Sequence, residues 1–456
     1  MSPPSVTERL ARFARDSWDR GIPDTVLHEA NRLLINQLKA SVGATEHPAI
    51  RILHDWAMAG RTSGLAHVLW LGTTASPGQV ALVNGALFEV LDFNDTYIPC
   101  YMHAVSGVLP AALALAETSG CCGREMLTAL ALGIEIELAC ATILMPTAYF
   151  RGFVPGGITG AIGGAAACAL LGGIDDIAMR NALGLAMNTG LGTYQSAGFM
   201  TLSYIMGMAA HNGVAAYELA ARGFDAPRAA FEGDKGMLSS YSDESADRIE
   251  SAVSSLGKTW RIHGQSYKTV PTETITHAPL ECLWRIRERA RGRIIRRLRF
   301  GVAAIVVKIA DERMDRFGVP HSELTAKFDL RYCAAAAWQR GRFTLAEMRE
   351  PAYRDPLILD LRSRIDLVAD SSFQTFDGAA LTAEFADGSI ESVRIADFRG
   401  SPGNPLTDEE LSQSLRVSAA DVLPSTGIDA ILNEAWSLGG ARNVHKLMSL
   451  LRWSQT

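Results

Sequence analysis

The apolar segment that begins at residue 84, NGALFEVLDFNDTYIPCYMHAVSGVLPAALALAE, is interrupted by a few side chains able to ionise or to form hydrogen bonds. These are Asp92, Asp95, Thr96 and His103. Because charged groups are costly to bury, such a cluster among core residues indicates a charged ligand or a catalytic task. If residues 92–96 are helical, Asp92, Asp95 and Thr96 share one face, and each carboxylate raises the pKa of the other. That arrangement suits acid–base chemistry.

The same segment has a second interpretation. An Asp-Asn-Asp turn that caps a helix would use these side chains for structure alone. The oxygen-ligand repeat of a calcium loop and the HExxH motif are both missing from the sequence, so it predicts no metal site.

Two histidines and a lysine are further candidates for proton transfer and anion binding. His103 comes just before a Pro-containing helical run, and His277 precedes a helix with Pro279 in its first turn. The positive end of that helix disfavours imidazolium, so His277 should stay neutral and accept a proton at physiological pH. Lys268, in the same stretch, can pair with a substrate carboxylate. Structural histidines and a solvated surface lysine are the alternatives.

Length and composition indicate a two-domain enzyme with a small ligand. The chain has 456 residues, of which 48% are hydrophobic and 20% charged, enough to build a large core. The net charge is only −6, and acids and bases are interspersed. Nothing in this balance favours nucleic acid or an anionic membrane as a partner.

The cysteines and the longest apolar run predict a cytoplasmic protein that does not span a membrane. The seven cysteines show no CxxC spacing, and the N-terminal residues form a polar amphipathic pattern rather than a secretory signal. The apolar run 127–145 carries Glu135 and Glu137 near its centre, which predicts a buried core helix instead of a lipid-facing one.

Hydrophobic periodicity divides the chain into a helical part and a mixed part. The first half predicts successive helices in a compact bundle, with a short strand at 66–72 and with Asp24 as the N-cap of the helix that follows it. The helical runs are 79–88, 108–118, 124–144, 159–171, 174–187 and 206–222.

After about residue 260 the pattern changes to β-branched alternation. It appears in RIIRRLRFGVAAIVVKIA, in SRIDLVAD and in ALTAEFADGSIESVRI, where Asp387-Gly388 predicts a hairpin turn. Helices lie between these runs, and a final helix is expected at 442–453. The pattern therefore predicts an α+β domain at 266–399 and a helical domain made of 1–265 with 400–456.

Two other runs favour structural interpretations. The glycines of PGGITGAIGGAAA match neither phosphate-binding motif, so close helix packing explains them better than nucleotide binding. The arginine-rich stretch 285–299 is typical of a solvated helix end followed by a half-exposed strand, rather than of a nucleic-acid surface.

Four blocks, in order along most of the chain, resemble the MmgE/PrpD family, which contains 2-methylcitrate dehydratase, cis-aconitate decarboxylase and iminodisuccinate epimerase. They are LDFNDT with the histidine that follows it, MGMAAHNGVAAYELAARGFDAP, YKTVPTETITHAPLE and FRGSPGNPLTDEEL. The resemblance implies a mainly α fold, with a large all-helical domain and a smaller α+β lid domain. It also implies a homodimer that acts on small di- or tricarboxylates without a cofactor or metal.

By matching position, the resemblance implies a set of site residues. His103, His277 and Asp92 are the catalytic candidates, and Thr96, Lys268, Arg151 and Asp95 are the candidates for substrate binding. The chemistry implied for the family begins with removal of a proton from a carbon next to a carboxylate.

The sequence departs from the family pattern at several positions. Val154 stands where the dehydratases and decarboxylases usually have a histidine, and Leu202 stands where they usually have a lysine. Glu89 replaces a frequent histidine, and one additional residue separates Thr96 from His103. Arg151, Lys268 or backbone donors would then have to bind the substrate anions.

Three functions remain open on the sequence alone. The first is a lyase, either a dehydratase or a decarboxylase, of a small polycarboxylate. The second is an epimerase or isomerase of an imino- or amino-dicarboxylate, which needs only a base on one face and an acid on the other. The third is a catalytically silent homologue that binds a metabolite.

Overall fold

The computed structural model describes residues 4–60, 64–243, 246–290 and 292–452. By its internal contacts the chain divides into two compact units. Within the described residues, unit 1 comprises the chain up to Val90, Asn94–Gln265 and the chain from Asp408 onwards, and unit 2 comprises Leu91–Phe93 and Ser266–Thr407. Unit 1 is helical apart from three short strands and unit 2 contains a sheet, so the predicted fold class, mainly α with a smaller α+β part, is confirmed.

Unit 1 is a bundle of helices. Its elements are α1 (Val6–Arg20), α2 (Asp24–Val42), α3 (Pro48–Ala59), β1 (Ala66–His67), β2 (Thr74–Ala75), α4 (Pro77–Glu89), β3 (Asp95–Thr96), α5 (Val105–Ser119), α6 (Gly123–Leu144), α7 (Thr147–Phe150), α8 (Pro155–Leu171), α9 (Asp176–Met187), α10 (Thr201–Ala220), α11 (Met237–Tyr241), α12 (Ala246–Ser254), α19 (Asp408–Ala419), α20 (Ser425–Trp436) and α21 (His445–Leu450).

The central helices of unit 1 approach one another closely because glycines face one another at their crossings. A Cβ atom built on Gly107 of α5 would lie 2.9 Å from the Cα atom of Gly160 in α8, and one on Gly213 of α10 would lie 2.9 Å from Gly164 in α8. Only glycine fits at such a distance. The glycine-rich run therefore serves helix packing, as the sequence predicted.

Helix α6 is the core helix predicted from the apolar run at 127–145. Among the described residues it alone is long and apolar enough to cross a membrane, and 94% of its most apolar window is buried inside the protein. Glu135 and Glu137 lie on it with no exposed surface. A helix in this setting serves as the centre of a bundle.

Unit 2 is built on a four-stranded mixed sheet in the order β6-β5-β7-β8. β5 and β6 are parallel, and α14–α18 form the crossover that a parallel pair needs. β7 and β8 form the predicted hairpin, with Gly388 at a φ of +82°. The elements are β4 (Ser266–Tyr267), α13 (His277–Ala290), β5 (Ile295–Val302), α14 (Ala304–Phe317), α15 (Glu323–Ala326), α16 (Leu330–Arg340), α17 (Leu345–Met348), α18 (Pro356–Arg362), β6 (Ile365–Ala369), β7 (Ala379–Phe385) and β8 (Ile390–Ile395).

Several local predictions are wrong. The run AAIVVKIA forms helix α14, because its apolar residues also fit a helical period and its buried side chains lie three and four positions apart. Pro23, not Asp24, occupies the N-cap of α2, so the helix begins at Asp24, one residue earlier than predicted. The strand expected at 66–72 shrinks to the two residues of β1. The final helix ends at Leu450, and residue 453 lies outside the described residues.

Candidate active site

His103 stands at the end of a short loop that folds back on β3. The Tyr97 amide donates a hydrogen bond to the Met102 carbonyl at 2.8 Å, and the Met102 amide donates to the Tyr97 carbonyl at 3.4 Å. This pairing brings Met102 beside Tyr97, the residue that follows β3. His103 Nδ1 thereby lies 2.5 Å from the main-chain oxygen of Asp95.

The contact with Asp95 defines which nitrogen of His103 is basic. A carbonyl oxygen only accepts hydrogen bonds, so Nδ1 must carry the proton, and neutral His103 has its lone pair on Nε2. Thr96 is buried, and its Oγ1 lies 3.3 Å from the same Nδ1. The half-buried ring of His103 is therefore held in the tautomer that a general base at Nε2 requires.

Asp95 holds this loop in place from within the core of unit 1. Its carboxylate accepts hydrogen bonds from Gln37 Nε2 at 2.9 Å, from the Ala104 amide at 3.1 Å and from the Val105 amide at 3.4 Å. The last two lie at the N-terminus of α5, where a negative charge is favourable. The capping interpretation thus describes Asp95 well, and we interpret it as a positioning residue.

Asp92 belongs to unit 2 and has a different partner from the one that helical spacing predicts. Its φ of +53° is left-handed, so residues 92–96 are not a helix and the shared carboxylate face is wrong. Lys268 Nζ donates to Asp92 Oδ1 and, at 3.0 Å, to the Asp92 main-chain oxygen. The two side chains are 5% and 1% exposed, so Lys268 is a buried cation and its interpretation as a surface lysine is also wrong.

A second buried ion pair lies close enough to influence the first. Glu273 and Arg313 form an ion pair at 3.0 Å. Burial raises the pKa of Glu273, Arg313 opposes this shift, Asp92 adds to it and Lys268 opposes it. Together the two pairs form a buried cluster with two positive and two negative charges, in which removal of one member leaves another uncompensated.

His277 is the first residue of α13, as its sequence context predicted. It is 3% exposed, and its ring lies against Phe398 with 5.3 Å between the ring centroids. The N-terminal position on a helix disfavours the imidazolium form.

Arg151 lies at the end of α7 in unit 1 and is exposed. Its guanidinium forms an ion pair with the exposed Asp243. An exposed pair of this kind contributes little to stability and can exchange partners.

Sequence reasoning missed Glu137 as a functional candidate. This residue of α6 is fully buried, and Thr159 Oγ1 donates to its Oε1 at 3.2 Å. Burial raises its pKa well above the ordinary value, and the neighbouring charge of Asp95 raises it further. The signal available in the sequence is the pair of acids in the middle of an apolar run, which argues against a membrane span and also marks carboxyl groups that are costly to bury.

Comparison with known protein families identifies the family of this chain. Residues 8–250 match the family description MmgE/PrpD N-terminal domain, and residues 270–438 match MmgE/PrpD C-terminal domain. The chain belongs to the MmgE/PrpD family.

Similar proteins cover nearly the full length of this MmgE/PrpD chain. Human cis-aconitate decarboxylase is 23% identical over 464 residues, which span 98% of this chain and 95% of the human protein. The mouse cis-aconitate decarboxylase is 23% identical over 469 residues, with 98% and 93% covered. A cis-aconitate decarboxylase-like protein of Aspergillus oryzae is 24% identical over 480 residues, with 98% and 97% covered.

Two of the departures from the MmgE/PrpD pattern, Val154 and Leu202, lie together in unit 1. Val154 packs in an apolar cluster with Ile205 and Met206, and Leu202 packs against the same cluster. A Cβ atom built on Gly156 would lie 2.6 Å from the Met206 methyl carbon and 3.4 Å from the His103 carbonyl oxygen. The apolar cluster is therefore a close neighbour of the segment that carries His103.

The remaining departures also have a place in the structure. Glu89 is buried and accepts a hydrogen bond from Asn94 Nδ2 at 2.7 Å, and the same nitrogen lies 2.9 Å from Ser106 Oγ. In the loop before His103, Tyr101 takes a left-handed φ of +53°.

The structure thus arranges the predicted site residues in two groups. Thr96, Asp95 and His103 are joined by hydrogen bonds in unit 1, while Asp92 and Lys268 are joined in unit 2. His277 also belongs to unit 2, and Arg151 is an exposed residue of unit 1. Within residues 4–60, 64–243, 246–290 and 292–452, no group of His, Cys, Asp or Glu side chains could hold a metal ion.

Proposed function

We propose that this chain is a lyase that acts on a small di- or tricarboxylate, without a metal or an organic cofactor. The reaction begins with removal of the proton from a carbon next to a carboxylate, and loss of water or carbon dioxide then determines the product. Family membership and the names of the similar proteins, which include cis-aconitate decarboxylases, support a lyase.

The observation that carries the proposal is the oriented imidazole of His103. Its Nδ1 is committed to the Asp95 carbonyl, so a neutral ring presents Nε2 as the base. Because Asp95 is itself held by amides and by Gln37, the base is preorganised on a rigid element. His103 takes the substrate proton at Nε2 and becomes an imidazolium that can return a proton later in the cycle.

Unit 2 carries proposed functional residues of its own. His277, the first residue of α13, acts as a second proton-transfer group. Lys268 attracts a substrate carboxylate, and Asp92 holds the ammonium group by two of its oxygen atoms. Asp92 therefore positions a cation rather than sharing a proton with a second acid.

A second candidate, epimerisation of an amino- or imino-dicarboxylate, is favoured by the apolar cluster. Val154 and Leu202 supply neither a base nor a cation beside the segment of His103. An epimerase expels no leaving group, so it needs fewer charged side chains than a dehydratase.

One incubation distinguishes these functions. The protein is mixed in deuterated water with citrates, aconitates, and amino- and imino-dicarboxylates, and products are followed by NMR and mass spectrometry. Deuterium next to a carboxylate with loss of water or carbon dioxide supports the lyase, and incorporation with inverted configuration supports the epimerase. A complete absence of exchange, with ligand binding retained, would identify the silent homologue and refute both enzymatic proposals.

The assignment of His103 is tested with matched substitutions. We expect His103→Gln to lower kcat by at least about a hundredfold, since general-base catalysis contributes on this scale. His321→Gln changes an exposed histidine of unit 2 and should leave kcat within about twofold of the wild-type value. Equal rates in both variants and the wild type would refute the role of His103.

We also propose that the enzyme is a homodimer. Unit 1 exposes several large apolar side chains close together in sequence, among them Leu191, Phe199 and Met200, which are 38%, 56% and 42% exposed. Contiguous exposed apolar surface is typical of a contact between proteins. Light scattering on the purified chain should give twice the mass of 49.1 kDa, and a monomer mass would contradict the dimer.

A further inference from the structure

A groove along the edge of the unit 2 sheet is lined by an unusual number of arginines. The groove has a volume of about 640 Å³ and follows strands β5 and β6. The charged residues that line it are Arg296, Arg297, Arg299, Arg331, Asp366 and Glu384. This volume lies within the range of sites for small ligands.

Positive charge exceeds negative charge in the groove. Four guanidinium groups face two carboxylates, which leaves an excess of two positive charges, and Asp311, outside the lining, pairs with Arg331 at 2.8 Å. The whole chain has a net charge of −6, so this concentration of arginine is local and is not a property of the surface in general. A cleft lined by one sign of charge attracts ligands of the other sign.

The arginines differ in whether a carboxylate of the protein already forms an ion pair with them. Arg297 forms an ion pair with Asp366, and Arg296 lies 3.7 Å from Glu384. Arg299 lies opposite Asp366 in the β5–β6 register, but its guanidinium forms no hydrogen bond and has no carboxylate within 4.0 Å among the described residues. Arg299 is therefore the arginine most available to a ligand.

The pKa of Asp366 is lowered by the positive charges that surround it in the groove. A hydrogen bond from Arg297 lowers the pKa of Asp366 most, and the charges of Arg297, Arg299 and Arg331 lower it further. Three guanidinium groups thus act on one small carboxylate. An anion that carries more negative charge than one aspartate can form ion pairs with more of these guanidinium groups.

We propose that this groove binds a small polyvalent oxyanion, carried by a metabolite with several carboxylate or phosphate groups. Guanidinium groups form paired hydrogen bonds with both kinds of oxyanion, and the open edge of the sheet leaves room for them. None of the lining residues is among those assigned to catalysis, so the proposed anion site has its own set of side chains.

Calorimetric titration of the full chain with citrate and with inorganic pyrophosphate tests the proposal and distinguishes the two chemical sources. We expect one molecule of at least one of these anions to bind per chain, with weaker binding at higher salt. Arg299→Gln should lower the affinity at least about tenfold, because it removes a charge-assisted contact. Binding should persist in the His103→Gln variant, which separates this site from the proposed catalytic one.

Two further variants make the result specific. Arg354→Gln makes the same change of charge at an exposed residue of unit 2 outside the groove lining, and should change the affinity less than about twofold. Glu384→Gln removes a negative charge from the lining and should strengthen binding about two- to fivefold. This gain cannot result from unfolding.

Several results would overturn the proposal. One is the lack of binding of either anion by the wild-type protein. Another is an equal loss of affinity in Arg299→Gln and Arg354→Gln, which would indicate a general effect of charge. Binding of a short DNA duplex, sensitive to Arg299 while neither small anion binds, would replace the proposal with a nucleic-acid surface.

Discussion

Glu135 gives a prediction whose size follows from its surroundings. The carboxyl group has no exposed surface, its Oε1 accepts a hydrogen bond from the Ile262 amide at 2.7 Å, and its Oε2 lies 3.7 Å from Arg261 Nη1. Burial raises its pKa from the ordinary 4.5 to about 7, against the smaller opposing effects of the Ile262 amide and the Arg261 charge. We propose the substitution Glu135→Gln, which keeps the acceptor for Ile262 and removes the titration.

The direction of the effect follows from proton binding. Between about pH 4.5 and pH 7 the folded protein keeps the proton of Glu135 and the unfolded chain has released it. The free energy of unfolding of the wild type therefore falls as the pH rises through this window, by about 1.4 kcal/mol per pH unit. Over the whole window the loss is about 3 kcal/mol, and Glu135→Gln should not show it.

Urea unfolding of both proteins at a series of pH values measures the difference. We expect the stability of Glu135→Gln relative to the wild type to increase by about 3 kcal/mol between pH 4.5 and pH 7. Glu8→Gln is the matched control: Arg228 and Ser5 lower the pKa of Glu8 to about 2, so both states have lost its proton above about pH 5.5 and the difference from wild type should then be constant. A Glu135→Gln curve parallel to that of the wild type would refute the reasoning.

Three further predictions concern packing and buried charge. Lys268→Met should lower the free energy of unfolding by about 3–5 kcal/mol because Asp92 loses its cation. Combining it with Asp92→Asn should recover most of this loss in urea unfolding, and a double variant no more stable than Lys268→Met alone would contradict the pairing. Gly107→Ala should lower the free energy of unfolding by about 1–3 kcal/mol, because the new methyl group would collide with the Gly160 backbone. Gly439→Ala, at a position whose nearest neighbouring atom is 3.8 Å away, should lower it by less than about 0.5 kcal/mol. Similar thermal shifts in the two variants would argue against close packing at Gly107. Asp95→Asn should cost about 1–3 kcal/mol and lower kcat through His103, and unchanged kcat in a folded variant would show that Asp95 does not position the base.

The elements with strong periodicity could be predicted from the sequence. The core helices and the hairpin at Asp387-Gly388 were found because burial of one face imposes a regular spacing on the residues. The run AAIVVKIA was misassigned because β-branched residues also occur in buried helices, and the choice depends on packing that spacing does not contain.

The candidate site could be predicted only as a set of residues. The sequence identified Asp92, Asp95 and His103, but it placed the two carboxylates on one helical face. The left-handed φ of Asp92 separates them, and each finds a partner distant in sequence, Lys268 in one case and Gln37 in the other. Contacts across 176 and 58 positions cannot be read from local patterns.

Asp95 is bound to the residues after the loop through both its main chain and its side chain, and this limits how changes in the loop can affect His103. Its main-chain oxygen holds His103, and its carboxylate holds the two amides that follow, so both ends of the intervening loop are anchored to a single residue. Insertions or deletions between Tyr97 and Met102 can then alter the width of the loop without displacing the imidazole. Natural variation and protein engineering can therefore reshape the loop beside His103 while the imidazole keeps its position.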